Sequence, residues 1–382
     1  MDWLEEMEAD GFTLNHAKFL DSFLAVLKIR DISDVQIIAN DIQKEIDRER
    51  QDLSRTMKYR LRRSARNNSL ADFNLLAYHR YDKIMSYLKK ISKEYPNLTE
   101  VFNITRTYEG RDLIGIKIEA EGESLQKPAI FIDAGIHARE WIAPAVALYI
   151  VSKLVTRYGK DSDPTRMIEQ FNWYIVPVAN PDGYEYSMTT DRLWRKTRSR
   201  NTTVNKWCVG ADANRNWGYR WGEAGTSRSP CSNIYPGSAA FSEVETAGIR
   251  DFIANQIPDL KVYVSLHSYG QLFLGPWGYT SAKPNNYYDQ KHAASLAVEA
   301  IRKKTGAKYN YGTISELMYP ASGTSIDYMQ DRGVPYIYGI ELRPEDANNF
   351  GFSIPARFIE PTGEEIISAL RTMADYVIKK KR

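Results

Sequence analysis

Five histidines occur in this sequence of 382 residues, and two of them lie where apolar, strand-like runs end. His137 follows the run Ala129–Asp133 and stands three residues before Glu140. His267 ends a second run, Lys261–Leu266. Two imidazoles and one carboxylate form the ligand set of a hydrolytic zinc site, which keeps its fourth position open. An H-x-x-E pair alone is common by chance, so the prediction of zinc depends on the second histidine.

A hydrolytic zinc site also needs a general base. Zinc lowers the pKa of its bound water toward about 7, and a nearby carboxylate can then take the proton. Glu341 ends the apolar run Tyr336–Glu341, where an ionised side chain is otherwise unusual, and is the candidate base. The alternative is an ordinary salt bridge between Glu341 and an arginine such as Arg343. Arginines in the stretch Arg192–Arg198 and in DANRNW could bind a carboxylate, although alone they are typical of a charged surface.

The elements that would position these residues alternate between helices and short apolar strands from Tyr78 onward. This alternation predicts an α/β fold, a mixed and largely parallel twisted sheet with helices on both faces, preceded by a small α+β piece. Ligands of such sheets bind beyond the carboxyl ends of the strands, where the candidate residues lie. We also expect a cis peptide before Pro344, because proline lowers its cost. The predicted strands are Phe102–Thr105, Leu113–Ile118, Ala129–Asp133, Trp173–Pro177, Lys261–Leu266 and Tyr336–Glu341, and the predicted helices are Tyr81–Glu94, Ile142–Tyr158, Glu243–Gln256, Asn286–Thr305 and Gly363–Lys380.

Six motifs follow one another along the chain: GIHAREW, LWRKTRS, DANRNW, SLHSYGQ, YPASGTSID and GIELR. In this order and spacing the chain resembles the A/B-type zinc metallocarboxypeptidases, the pancreatic and digestive enzymes, from about residue 78 to its C-terminus. The resemblance implies an exopeptidase that removes single residues from the C-terminus of peptides. It also implies one Zn²⁺ ion bound by His137, Glu140 and His267.

The resemblance implies roles for the other site residues by their positions. Glu341 matches the general base, and Arg195 matches the residue that stabilises the oxyanion opposite zinc. Asp212 would accept a hydrogen bond from the second ring nitrogen of His137. A buried arginine can hold a free carboxylate bidentately, which explains release of terminal residues only. The residues at the substrate-binding positions are Asn214, Arg215, Tyr319, Arg139, Ser268 and Tyr269.

The expected side-chain preference depends on Ile326, which matches the floor of the family's specificity pocket. Basic-preferring members carry an acid there and acid-preferring members carry a base. An apolar floor neutralises neither charge, and burial of an unpaired lysine or arginine is strongly unfavourable. We therefore expect bulky apolar or aromatic C-terminal residues, with an inward-turned Asp327 and a basic preference as the alternative. The expected pocket walls are Ile314, Leu274, Gly278 and Gly339.

The N-terminal part of the chain differs in character from the rest. The resemblance identifies residues 1–66 as an apparently incomplete propeptide and residues 67–382 as the catalytic domain. The basic stretch KYRLRRSARNNS predicts a linker that a trypsin-like protease cuts after Arg63 or Arg66. A solvated helix end rich in cations is the alternative interpretation.

Composition limits the compartment and the partners. The two cysteines, Cys208 and Cys231, lie in polar, loop-like sequence, and we expect a disulfide rather than two free thiols. The resemblance implies secretion, although the acidic N-terminus lacks the apolar run of a signal peptide. No apolar run is long enough to span a membrane, and a net charge of +3 gives no case for nucleic acid. The expected partners are peptide C-termini and an activating protease, and the expected state is a monomer.

A catalytically inactive, peptide-binding relative is the main alternative from another class of function. Such relatives usually lack a metal ligand or the base, whereas this chain retains the full set, His137, Glu140, His267, Arg195 and Glu341. A serine hydrolase is disfavoured because no G-x-S-x-G motif occurs, and a thermolysin-like peptidase because H-E-x-x-H does not occur.

Overall fold

The structure is a computed structural model that describes residues 43–44, 46–49, 51, 73–120, 127–347 and 350–381. The predicted cleavage positions, Arg63 and Arg66, and most of the expected propeptide lie outside these residues. The strands are β1 (Thr99–Arg106), β2 (Asp112–Ile118), β3 (Ala129–Ala134), β4 (Asn172–Val176), β5 (Leu260–Ser268), β6 (Leu272–Gly275), β7 (Asn310–Thr313) and β8 (Tyr336–Leu342). The helices are α1 (Tyr81–Glu94), α2 (Ile142–Arg157), α3 (Ser162–Gln170), α4 (Pro181–Thr189), α5 (Val244–Gln256), α6 (Tyr287–Thr305), α7 (Ile314–Leu317), α8 (Ser325–Asp331) and α9 (Ile359–Lys381), with 3₁₀ turns at Gly351–Ser353 and Ala356–Phe358.

The strands form one eight-stranded mixed sheet in the order β1-β2-β4-β3-β5-β8-β6-β7. Its centre, β4-β3-β5-β8, is parallel, whereas β1 and β2 form an antiparallel pair at one edge. The expected α/β fold is thus confirmed. Parallel strands present their carboxyl ends at the same edge of a sheet, and the β5–β8 register pairs His267 with Glu341 there.

Apolar side chains cover both faces of the sheet, as a central parallel sheet requires. Along β3, Ile130 and Ile132 belong to one buried cluster, with residues of α2, α6 and α9, and Phe131 belongs to the cluster on the other face, with residues of α5 and α8. Because successive side chains of a strand point to opposite faces, this alternation places helices on both sides. The sheet edge that carries the polar candidates is therefore held between two packed layers.

Several local features of the structure can be compared with the sequence. The peptide between Arg343 and Pro344 is cis, as predicted. Cys208 and Cys231 form the predicted disulfide, with Cα atoms 4.9 Å apart. The stretch NPDG has the composition of a turn, but it begins helix α4, where the Asn180 side chain accepts a hydrogen bond from the backbone N–H of Gly183. In the described residues, no helix has the length and apolar character needed to cross a membrane.

Candidate active site

Three buried donors meet at the carboxyl edge of the sheet. His137 and Glu140 follow β3, and His267 lies near the end of β5. Glu140 Oε1 lies 2.8 Å from His137 Nδ1, and Glu140 Oε2 lies 3.1 Å from His267 Nδ1. The two Nδ1 atoms are 3.2 Å apart, and the three ligand atoms lie within 4.8 Å of one another. This donor set, with both Nδ1 atoms facing a single carboxylate, fits a catalytic zinc ion.

Asp212 fixes the orientation of the first histidine. Its Oδ1 lies 3.1 Å from Nε2 of His137, and its Oδ2 accepts hydrogen bonds from Nε and Nη2 of Arg195 at 3.0 and 2.8 Å. Because a carboxylate only accepts, Nε2 of His137 must donate, which leaves Nδ1 with a lone pair for metal. Burial lowers the pKa of His137, and the nearby Arg195 lowers it further. Both effects favour the neutral imidazole that binds metal.

The second histidine lies in a field that attracts positive charge. Burial lowers the pKa of His267, but the carboxylates of Glu140, Glu341 and Asp133 together raise it to about 9. Protein groups alone thus favour a cation at this position, which is the electrostatic condition that a dication also needs.

Sequence reasoning missed a buried polar group behind His267. Ser265 Oγ lies 3.1 Å from His267 Nε2 and 2.7 Å from Asp133 Oδ1, and the Tyr263 hydroxyl donates to Asp133 Oδ2 at 2.5 Å. The available signals were an aspartate that ends a buried strand and a serine two residues before His267. Neither signal points to the other until β3 and β5 are known to be neighbours.

Glu341 lies next to His267 at the carboxyl edge of the sheet. Within the described residues its Oε2 is buried and has no hydrogen-bond partner. Burial raises the pKa of Glu341 to about 8, with Glu140 adding to the rise and His267 and Arg195 opposing it. The alternative of a salt bridge with Arg343 is wrong, because Arg343 donates to Glu365 instead, at 2.5 to 3.1 Å.

The residues expected to hold a terminal carboxylate lie together. Arg215 is buried, and its Nε and Nη1 donate to the carbonyl oxygens of Gly225 and Asn214 at 2.8 and 2.9 Å. Its Nη2 is buried without a partner among the described residues. The Arg215 guanidinium carbon lies 5.8 Å from the ring centre of Tyr319, whose side chain is 43% exposed. A donor is therefore available beside a tyrosine that has room to move.

The five expected pocket residues also meet in space. A Cβ atom on Gly339 would lie 3.6 Å from Ile326 Cγ1 and 3.8 Å from Leu274 Cβ. A Cβ atom on Gly278 would lie 3.4 Å from Ile314 Cδ1 but only 2.5 Å from the carbonyl oxygen of Ala321. Gly339 thus leaves space between apolar side chains, whereas Gly278 allows the Ala321 backbone to approach closely. Ile326, Ile314 and Leu274 belong to one buried apolar cluster.

Asp327, the residue that could have changed the character of this pocket, is engaged elsewhere. Its carboxylate accepts hydrogen bonds from the backbone N–H groups of Gly278 and Tyr279, at 2.7 and 3.0 Å. Burial raises its pKa to about 7, and these two hydrogen bonds oppose the rise. The carboxylate therefore holds the Gly278–Tyr279 backbone in place.

The expected upstream contacts, Arg139, Ser268 and Tyr269, lie beside the metal donors. The backbone N–H of Ser268 donates to Glu140 Oε2 at 3.2 Å. The Arg139 guanidinium carbon lies 4.3 Å from the ring centre of Phe352, and the Tyr269 ring meets the same ring edge-on at 4.9 Å. Sequence reasoning missed Phe352, because it lies in a short 3₁₀ turn without a recognisable motif.

Comparison with known proteins agrees with this geometry. The sequence profile of the family described as "Zinc carboxypeptidase" matches residues 84–369. The chain belongs to the zinc carboxypeptidase family. Carboxypeptidase B of Astacus astacus is 44% identical to it over 302 residues, which are 79% of this chain and 97% of the relative. Carboxypeptidase A2 of Rattus norvegicus is 38% identical over 344 residues, 90% of this chain and 79% of the relative.

Solved structures agree as well. The crystal structure of thrombin activatable fibrinolysis inhibitor has 32% sequence identity and a TM-score of 0.84, and the match covers 94% of this chain and 86% of that one. Carboxypeptidase A of Helicoverpa armigera has 29% identity and a TM-score of 0.81, covering 93% and 86%. This zinc carboxypeptidase is therefore a metallopeptidase that acts on peptides and uses zinc. Its named relatives include both A and B types, so their names do not decide its side-chain preference.

Proposed function

We propose that this zinc carboxypeptidase releases bulky apolar or aromatic residues from peptide C-termini, and that the intact chain is a zymogen. The apolar pocket around Ile326 carries the first part of the proposal. Burial of an unpaired lysine or arginine in such a pocket costs several kcal/mol, on the order of 3–5 kcal/mol when its partner is missing. The Asp327 carboxylate is held by two backbone N–H groups, so among the described residues the expected pocket floor is the apolar side chain of Ile326.

The proposed catalytic roles follow from the positions of the buried groups. His137, Glu140 and His267 hold zinc, which when bound polarises the scissile carbonyl and acidifies water. Glu341 takes a proton from the attacking water through its unpartnered Oε2 and delivers it to the leaving amine. Arg195 stabilises the developing oxyanion.

Recognition of the chain end is assigned to a second group of residues. Arg215 and Asn214 bind the terminal carboxylate of the peptide, and Tyr319 closes over it. Because Arg215 Nη2 is buried and has no partner in the described part of the chain, an arriving carboxylate completes its hydrogen bonding. Ser268 and Tyr269, with Arg139, contact peptide residues further upstream.

A contact made by the N-terminal part supports the zymogen proposal. Glu49 Oε2 and Oε1 accept from Nε and Nη2 of Arg192 at 2.5 and 3.1 Å. The other donors of this buried arginine bind the carbonyl oxygens of Arg139 and Phe352, at 2.8 and 2.6 Å. Glu49 thus lies next to residues that we assign to upstream substrate contacts.

We infer from this contact that residues 1–66 act as a propeptide over a catalytic domain of residues 67–382. A trypsin-like protease would release the propeptide by cleavage near Arg63 or Arg66. Secretion and a monomeric state complete the proposal, and the disulfide between Cys208 and Cys231 suits an oxidising compartment.

Hydrolysis of N-blocked dipeptides that end in Phe, Leu, Arg or Glu tests the proposal. The assay is run before and after limited trypsin treatment, each with and without a zinc chelator. Release of Phe and Leu that rises after trypsin and stops with chelator is expected. Release of Arg in preference to Phe would contradict the pocket assignment, and full activity before trypsin would contradict the zymogen assignment. No release by a zinc-loaded, cleaved protein would contradict the catalytic assignment.

A further inference from the structure

Behind His267, three buried polar side chains form a chain of hydrogen bonds through the sheet. Ser265 connects His267 Nε2 with Asp133 Oδ1, and the Tyr263 hydroxyl binds Asp133 Oδ2. Asp133 is only 1% exposed and lies near the end of a strand that is buried on both faces. The parallel β3–β5 register places it directly beside Ser265. A carboxylate at such a position is costly unless it is fully hydrogen-bonded.

The direction of these hydrogen bonds follows from the groups that can donate. Burial raises the pKa of Asp133, and the hydrogen bonds from Ser265 and Tyr263 and the nearby His267 oppose the rise. In its ionised form the carboxylate only accepts, so the hydroxyl hydrogens of Ser265 and Tyr263 both point to Asp133. Since its single hydrogen is used there, Ser265 Oγ can only accept from the imidazole. His267 therefore carries a proton on Nε2, and its Nδ1 is the ring nitrogen that faces Glu140 and His137 and is available to a metal ion.

We propose that Ser265, Asp133 and Tyr263 form a positioning relay that holds His267 in the Nε2–H tautomer and so presents Nδ1 to zinc. The proposal rests on the proposed zinc assignment and adds residues to it. The relay acts on His267 as Asp212 acts on His137, with one difference. Asp212 contacts its imidazole directly at 3.1 Å, whereas Asp133 acts through an intervening hydroxyl.

Zinc affinity separates this role from a purely structural one. Ser265→Ala removes the acceptor of the Nε2 proton, and we expect its zinc dissociation constant to rise about 10- to 100-fold, the usual effect of losing such a partner. Ser265→Thr keeps the hydroxyl and is expected to bind zinc as the wild type does. Ser152→Ala, which removes a buried hydroxyl on α2 away from the site, is the matched control and should leave zinc affinity unchanged.

The affinity is measured with zinc alone, titrated in competition with a chromogenic chelator. Thermal unfolding of each zinc-free variant shows that the variant is folded. Tyr263→Phe keeps the aromatic ring but leaves Asp133 with one donor, so a smaller loss of affinity is expected. Nitrogen-15 spectra of the zinc-loaded wild type should show a slowly exchanging Nε2–H of His267. That signal should exchange faster in both Ser265→Ala and Tyr263→Phe.

The outcomes distinguish this inference from the proposed function. If the wild type binds no zinc, the zinc assignment itself fails and the relay fails with it. If the wild type binds zinc and a folded Ser265→Ala variant binds it equally well, only the relay is overturned. Should Ser265→Ala not fold, an unchanged zinc affinity and unchanged Nε2–H exchange in Tyr263→Phe would overturn the relay instead.

Discussion

A Cβ atom on Gly339 would lie 3.6 Å from Cγ1 of Ile326, an ordinary van der Waals distance. A methyl group at this position therefore fits the folded protein and takes space only from the pocket. We expect Gly339→Ala to lower kcat/KM for release of Phe by about tenfold relative to Val, because one methylene group in a pocket is worth about 1–3 kcal/mol. Unchanged zinc content is the control. Equal effects on Phe and Val would contradict the assignment of Gly339 to the pocket wall.

A negative charge on the pocket floor should change which C-terminal side chain the enzyme prefers. Ile326→Asp places a carboxylate where a basic side chain would end, so release of Arg should appear and release of Phe should fall roughly 100-fold. Ile326→Asn is the matched control, since it has nearly the same shape without the charge. It should weaken Phe release without creating Arg release. Comparison of kcat/KM for the two blocked dipeptides measures the switch, and Arg release by neither variant would place the floor elsewhere.

Removal of the proposed base should separate catalysis from metal binding. Glu341→Gln keeps the shape of the side chain but cannot accept a proton, so kcat should fall by about 10²- to 10⁴-fold. Zinc content should remain that of the wild type, because Glu341 is not one of the three metal donors. Single-turnover kinetics on zinc-loaded protein give the rate of the chemical step. A variant that retains wild-type kcat would exclude Glu341 as the base.

Weakening the Glu49–Arg192 ion pair should release part of the inhibition in the intact chain. Glu49→Gln removes a charge from a contact worth about 1.5–3 kcal/mol, so activity before trypsin should rise roughly tenfold. Asp47→Asn is the control, because Asp47 is exposed and accepts a hydrogen bond from Gln43 on the same helical turn. After trypsin, all three proteins should have the same activity. Equal activity of the intact proteins would argue against the zymogen contact.

Glu245 should make stability depend on pH. This residue of α5 is buried, and both of its carboxylate oxygens are unpartnered among the described residues. Burial raises its pKa from 4.5 to about 8, and the neighbouring Glu243 adds to the rise. The folded protein therefore keeps a proton that the unfolded chain releases between these values. The free energy of unfolding should fall as pH rises through this window and change no further above it.

Glu245→Gln tests this linkage, because the amide has the same shape and no charge. The variant should be close to the wild type at pH 5 and more stable at pH 8, by roughly 3–4 kcal/mol, because the three pH units between them lie within this window. Urea unfolding at both pH values gives the difference, and Glu169→Gln, an exposed position, is the control. A difference between variant and wild type that does not change with pH would contradict the prediction.

Much of the central fold could be predicted from the sequence because its signals are strong and local. The bounds predicted for β3 and α2 differ from the observed bounds by about one residue. The four-residue strands β6 and β7 were not predicted, since so few residues establish no period. Helix α4 was not predicted because Pro181 is typical of a turn. Proline is also common in the first turn of a helix, where Pro181 lies.

The active site likewise contains residues that could be predicted from the sequence and residues that could not. The expected metal donors, base, carboxylate-binding residues and pocket residues are brought together, since each lies in a distinctive motif. Asp133 and Ser265 were not foreseen, because their relation depends on which strands are neighbours in the sheet. Strand order is set by packing over the whole domain, so no local pattern contains it.

The disulfide between Cys208 and Cys231 encloses the segment that carries Asn214 and Arg215. The metal donors and Glu341 instead belong to the sheet edge. Asp212, which contacts His137, lies in the same enclosed segment. One covalent cross-link therefore restrains both the residues that bind the chain end and the partner of a metal donor. A change in this segment that displaces Arg215 would also disturb the metal site, whereas the pocket around Ile326 can vary without altering either.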